Sequence, residues 1–400
     1  MNMILEKKQQ GLTLIELLIA MLIGTLLILG ASSMFIANKR VYKEVDYQGR
    51  LAENARFAME MMIRDLRMAG FIGCAVREEV VNNLAVPDGT ELLSYISKSS
   101  GAIQPNSIEG SEGGANWLPS GSTDVTAGDG VTTTPSLEPG STANNDVTML
   151  ITSDGFTTRF LEDTNTNLCE SMGSVNANLT VRAQAGAQIP GGLFVDGGLF
   201  VASDCEATNL FQLTSNADAE PFILEHSTGS GSPGNQVSTL SKQYTVSSTN
   251  CTASPVDIHQ FRARRYFVAI DQDTNRPGLY RQVYDINPNA PGAEPEEFAE
   301  RIIDGVENMQ ILYGEDTTGK DRVADTYVTA TAVTNWEDVV SVKLAVLFAT
   351  VEEDFSAPFD TKSDYRLLDQ IIDPTTGTND RRRRKVVEAT ISLRNRQLSL

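Results

Sequence analysis

Apolar and polar positions follow three regimes along the chain. Leu17 to Asn38 carries no charge over 22 residues. At about 1.5 Å per residue, a helix of that length crosses a bilayer core of about 30 Å. After Lys39 the pattern turns amphipathic. Val41, Val45, Ala52, Ala55, Met59, Met62, Leu66 and Ala69 recur at helical steps, with Arg40, Lys43, Glu44, Arg50, Glu53, Arg56, Glu60 and Arg64 between them. No proline occurs before Pro87. The pattern therefore predicts one helix from about Leu12 to Ala69, stopping near Gly70 and Gly73, and about 87 Å long. Only its first part fits in a membrane. The rest must lay its stripe on something, and an Ala/Met-rich stripe suits the chain's own sheet better than a coiled-coil partner.

The third regime is strands and turns. Val147–Ile151, Leu199–Val201, Leu210–Leu213, Tyr266–Ile270, Leu279–Tyr284, Met309–Tyr313, Val339–Phe348 and Val386–Leu393 read as strands. Asn275-Arg276-Pro277-Gly278 reads as the turn of a hairpin. One long helix in front of such strands indicates an α+β class with a largely antiparallel sheet. Between Lys98 and Arg159 no basic residue occurs, and Gly113 to Asn145 is dominated by Ser, Thr, Gly, Pro and Asn. Residues 98–146 read as a loop-rich insertion, with Trp117 as a solvated loop residue.

Composition narrows the function. The net charge is −20, from 32 basic and 52 acidic residues. A nucleic-acid binder needs a basic face, so none is expected here. The two histidines, His226 and His259, stand far apart with no ligand-spaced partners. No metal site, cofactor or catalytic residue is expected, and the chain does not read as an enzyme.

The strongest chemical signal is at the N-terminus. Lys7 and Lys8 precede Gly11-Leu12-Thr13-Leu14-Ile15-Glu16-Leu17-Leu18-Ile19-Ala20. The lysines hold the start of the helix in the cytoplasm. Glu16 is a carboxylate inside an apolar run, and it costs several kcal/mol there without a partner. A plain anchor gives it no task, and the run is too long for an ordinary signal peptide cut after Ala31. The string resembles the processing site of type IV prepilins and pseudopilins, with Leu12 where that family most often has Phe. The resemblance implies that a prepilin peptidase cuts between Gly11 and Leu12 and that the new amine of Leu12 is methylated. It also gives Glu16 an assembly role, meeting the free N-terminus of a neighbouring subunit. A buried carboxylate beside an ammonium is tolerable, and such a pair sets register.

The head adds a second resemblance. Gly305-Val306-Glu307-Asn308-Met309-Gln310-Ile311-Leu312-Tyr313-Gly314 is followed by Asp325–Val328, Trp336, Val339–Lys343 and Leu393-Arg394-Asn395. That order, together with Gly198–Cys205 and Leu210–Gln212, resembles PilW-type minor pilins. It implies a type IV pilin-like fold, with a leader over 1–11, a membrane or filament-core half-helix over 12–38, an amphipathic half over 39–73 and a periplasmic head over 74–400. It implies a chain held in the inner membrane, then built into a pilus as a low-copy subunit that starts assembly. Its partners would be the major pilin, other minor pilins and a tip adhesin. Twitching motility, adhesion and DNA uptake would depend on it. A type II secretion pseudopilin is the nearest alternative.

Four cysteines, Cys74, Cys169, Cys205 and Cys251, are disulfide candidates once the head is exported. Three pairings are possible. The shortest loop among the later cysteines favours Cys169–Cys205, which leaves Cys74–Cys251. Asp316 to Asp325 resembles a decayed calcium loop, with Lys320 at a ligand position. The run Arg381–Lys385 reads as a solvated approach to a strand or as a dock for a neighbour's acidic face, and Glu294, Glu296 and Glu297 read as loop solvation.

Overall fold

A computed structural model describes residues 13–74, 80–84, 107–112, 147–149, 153–229, 234–246, 254–271, 274, 276–286, 295–319, 321–353, 358–373 and 380–395. The helix α1 runs Leu14–Met68 without interruption. Thr13 and Glu16 close its N-terminus as a capping box. Ala69 caps the other end, and Gly70 (φ +75°) and Gly73 (φ +74°) take the left-handed turns that release the chain.

The first buried helix residue is Leu51. Ala55, Ala58, Met59, Met62, Asp65, Leu66 and Ala69 follow it into the core. The predicted stripe is thus right in its upper part. Val41 and Val45, 63% and 64% exposed, do not belong to it, and Ala52 is exposed as well. Below Leu51 the helix buries no residue.

The head begins with β1 (Val80–Asn82), β2 (Ile108–Ser111), β3 (Val147–Met149), β4 (Gly155–Leu168) and β5 (Leu179–Ala183). Then come β6 (Leu199–Ser203), β7 (Thr208–Gln212), β8 (Phe222–Leu224), β9 (Asp257–Asp271), β10 (Arg276–Ile286) and β11 (Pro295–Asp304). These form one sheet, in the order β1-β7-β6-β9-β4-β5-β8, with β2 added on β4 and both β3 and β10–β11 on β9. All its pairings are antiparallel except β1 with β7. A second sheet, order β13-β12-β14-β17, holds β12 (Val306–Glu315), β13 (Thr326–Val328), β14 (Val339–Ala349) and β17 (Arg384–Ser392). A hairpin of β15 (Tyr365–Leu367) and β16 (Gln370–Ile372) stands beside it.

The chain passes from the first sheet to the second at Gly305 (φ +81°), where a Cβ would strike the Ala349 carbonyl. Helix, first sheet and second sheet close one core around Met59, Met62, Leu66, Phe156, Tyr266, Met309, Ile311, Val342 and Phe348. A separate core around Leu179, Phe194, Phe200, Phe211, Tyr244 and Ile258 fills a distal lobe.

The expected α+β fold is present, and every predicted strand has its counterpart. Some segments gain detail and others depart from expectation. The 98–146 segment holds one short strand, β2, which pairs with β4; Gly113 to Asn145, with Trp117, lies outside the described residues. Glu296 and Glu297 sit in β11 opposite Asp285 and Tyr284 rather than in a loop, while Glu294 lies outside the described residues. In the acidic loop the described carboxylates take backbone amides. Asp325 accepts the Thr317 and Thr318 amides at 2.8 and 2.7 Å, and Asp316 accepts the Arg322 amide at 2.7 Å, so these carboxylates fix a hairpin end. Lys320 lies outside the described residues. The basic run is an internal ion network, described below.

Candidate functional site: a bare stem and its anchorage

The lower helix presents apolar side chains outward on every side. Leu14, Leu27 and Phe35 are 78%, 68% and 70% exposed, and no residue from Thr13 to Arg50 is buried. Such a surface needs a membrane or other helices around it. The helix is long and apolar enough to cross a bilayer. Near its tip the Thr13 amide and hydroxyl both donate to Glu16 Oε2, at 3.0 and 2.8 Å, and the Glu16 amide donates back to Thr13 Oγ1 at 3.3 Å. Glu16 is thus held by its own helix end. Gly11 and Leu12 lie outside the described residues.

Where the helix meets the head, a different chemistry fixes it. Asp65 is buried on the packed face. Its two oxygens accept Tyr266 Oη at 2.5 Å and Arg264 Nη1 at 2.9 Å. Burial, and then the Asp65 charge, push the Tyr266 hydroxyl far above its ordinary range, so it stays a proton donor. Arg264 lies 4.9 Å from the centre of the Phe160 ring. Asn395 Nδ2 donates to the Arg67 and Met68 carbonyls at 3.0 and 3.4 Å, which satisfies the helix's last turn from the other end of the chain.

The segment after the helix continues this grip. The Gly70 amide donates to the Arg159 carbonyl at 2.9 Å, and the Leu161 amide to the Phe71 carbonyl at 2.8 Å. Cys74 then bonds to Cys205, at the turn between β6 and β7. This corrects the expected pairing. Loop length is a poor guide because Cys205 (φ +67°) sits on a hairpin tip that the sheet brings to the helix end, 131 residues away. Cys169 is disulfide-bonded too, and Cys251 lies outside the described residues.

The basic run forms the last clamp. The Arg384 side chain is buried and grips Glu307 through two nitrogens at 2.6 and 2.9 Å, with Asp360 at 2.9 Å and Asp380 at 2.7 Å. Burial works against its charge, but the three carboxylates more than offset that and raise its pKa further. Burial pushes Asp360 up, yet the Lys362 amide and Arg384 bring its carboxyl below the usual carboxylate range. Arg383 reaches down to Glu44 on the helix at 2.8 Å, and Arg381 lies against the Phe359 ring. The run is therefore not a solvated approach. The two histidines are separate: His226 meets the Ala177 carbonyl at 3.1 Å in the distal lobe, and His259 stands edge-on to Phe71. Among the described residues no three His, Cys, Asp or Glu gather as a metal site.

Residues 265–395 match the family model of the type IV pilus-assembly protein W, and residues 7–32 match the prokaryotic N-terminal methylation motif. Over these residues the chain resembles the PilW type. No curated protein and no solved structure matches it. The PilW match covers part of the wall that receives the stem, including Tyr266, Glu307, Arg384 and Asn395, while the methylation motif covers its tip. Neither reaches the distal lobe, so Gly198–Cys205 and Leu210–Gln212 lie outside both. The two matches support a type IV pilus minor pilin role, with the stem anchored in the inner membrane, prepilin processing and then assembly with other pilins.

Proposed function

We propose that this minor pilin is cut between Gly11 and Leu12, methylated on Leu12, and placed at or near the pilus tip, where it starts assembly. The observation that carries this reading is the bare stem below Leu51, joined to a head held by Asp65, Asn395 and a disulfide. A neighbouring helix that pulls on this stem pulls on a firmly attached head. Glu16 supplies the assembly chemistry. Its carboxylate rests on Thr13 in the single subunit and turns to the Leu12-type ammonium of a neighbour as the stems stack.

Head size supports a terminal position. A head of about 330 residues has a radius of gyration near 20 Å by the compact-domain rule, which crowds a closely repeated helical lattice but not an end. Other minor pilins and a tip adhesin would share that end, and twitching motility, adhesion and DNA uptake would follow from having pili at all. The test is a deletion strain. Few or no surface filaments, restored by the gene in trans, with this chain in trace amounts beside the major pilin, is the expected result. Normal filaments with impaired exoprotein release would instead assign it to a secretion pseudopilus.

A further inference from the structure

Just above the uncharged run, the helix carries three cations. Lys39, Arg40 and Lys43 are all exposed and make no ion pair among the described residues. The acids of the same stretch are already taken. Glu44 holds Arg383 at 2.8 Å and accepts Gln48 at 2.7 Å, and Asp46 holds Arg50 at 3.1 Å. At about 100° per residue, Lys39, Lys43 and Arg40 fall within about 100° of one another, so they form a single basic face. Tyr42, 76% exposed, projects from the same turn.

This cluster of positive charge stands in a chain of net charge −20. Its position also works against the N-in orientation set by Lys7 and Lys8, because basic residues favour the cytoplasmic side. Depth supplies the reason. The 22 uncharged residues span about 33 Å, slightly more than a hydrocarbon core, which puts the cations at the level of the far headgroups. There an anionic leaflet repels an acidic head over about one Debye length. Three cations directly between the two reverse the sign of that local interaction. Tyr42 at this level fits the interfacial preference of amphipathic aromatic rings.

We propose that Lys39, Arg40 and Lys43, with Tyr42, form a collar that binds the phosphate headgroups of anionic phospholipid in the outer leaflet of the inner membrane. The collar holds the unassembled subunit upright at a fixed depth. It must be released when the stem leaves the bilayer for a filament. The inference rests on the N-in membrane insertion described above, and not on where in a pilus the subunit sits.

The experiment uses the full chain in vesicles of phosphatidylcholine and phosphatidylglycerol in equal parts. Spin-labelled lipids of each kind report which headgroup is held at the protein surface. Wild type should prefer phosphatidylglycerol. Replacing the collar, K39Q/R40Q/K43Q, should lower that preference by about threefold or more, given roughly fivefold per cation near a charged surface. Lys7 and Lys8 contribute equally to both proteins. Arg56→Gln, an exposed charge higher on the stem, should change nothing. An unchanged preference in the triple variant would overturn the proposal. So would an unchanged preference combined with loss of co-purification with other pilins, which would reassign the collar to a neighbour's carboxylates. If wild type shows the preference and the triple variant loses it, while a deletion strain still makes normal filaments, the collar stands and the pilus reading alone falls.

Discussion

Tyr266 donates its hydroxyl to Asp65 across 201 residues of chain, at 2.5 Å, inside the core that joins stem to head. The pair fixes helix rotation, because Asp65 can be satisfied only where Tyr266 and Arg264 stand together. Removing the hydroxyl in Tyr266→Phe should cost about 2 kcal/mol, the range for a buried hydrogen bond to a charged group. Thermal unfolding in detergent checks this. A change within about 0.5 kcal/mol, the range of ordinary surface substitutions, would mean the pair is incidental.

The disulfide should act on the same joint. Cys205→Ser leaves Cys74 without its bond and opens a loop of 131 residues. A loss of roughly 2–5 kcal/mol is expected. Non-reducing peptide mapping of the wild-type protein should show the Cys74 peptide linked to the Cys205 peptide; finding Cys74 linked elsewhere would contradict the structure.

The clamp around Arg384 makes a prediction in pH. Asp360 has its carboxyl pKa lowered by folding, so its contribution is present above the unfolded value near 3.8 and fades as pH falls through the folded value. Asp360→Asn should therefore be less stable by roughly 1 kcal/mol at neutral pH and equal to wild type in strong acid. Denaturant midpoints at the two pH values test it, and a gap that persists unchanged in acid would sink the assignment.

Glu16→Ala should leave insertion and leader removal intact while lowering incorporation into filaments at least about tenfold, since a buried carboxylate–ammonium pair is costly to break. Cleavage is read on membranes and incorporation on sheared filaments. Normal incorporation would remove Glu16 from the register mechanism.

Much of the stem was legible in its residues because one physical rule dominates each part. An uncharged run of 22 residues reports the membrane, and glycine reports the helix stop. The lower limit of the packed stripe was not legible: Val41 and Val45 keep helical spacing but find no wall opposite them. In the head, near-continuous apolar strands such as β14 announced themselves. The central strands β4 and the first half of β9 did not, because they bury polar groups. Thr157, Thr158 and Arg159 are buried in β4, where Arg159 meets Glu109 at 3.1 Å, and His259, Gln260 and Arg265 are buried in β9. The basic run misled for the same reason: Arg384 is charged and buried, with partners from Glu307 to Asp380 that only the folded chain assembles. The disulfide was hidden by topology, since nothing local relates residue 74 to a hairpin tip at residue 205.

The central claim concerns what happens at the junction of Gly11 and Leu12. The most direct measurement is mass spectrometry of sheared surface filaments, seeking this chain's N-terminal peptide. The account predicts a trace peptide that begins at Leu12 with a methylated amine. A filament-borne or membrane-borne chain that still carries Gly11 would contradict it.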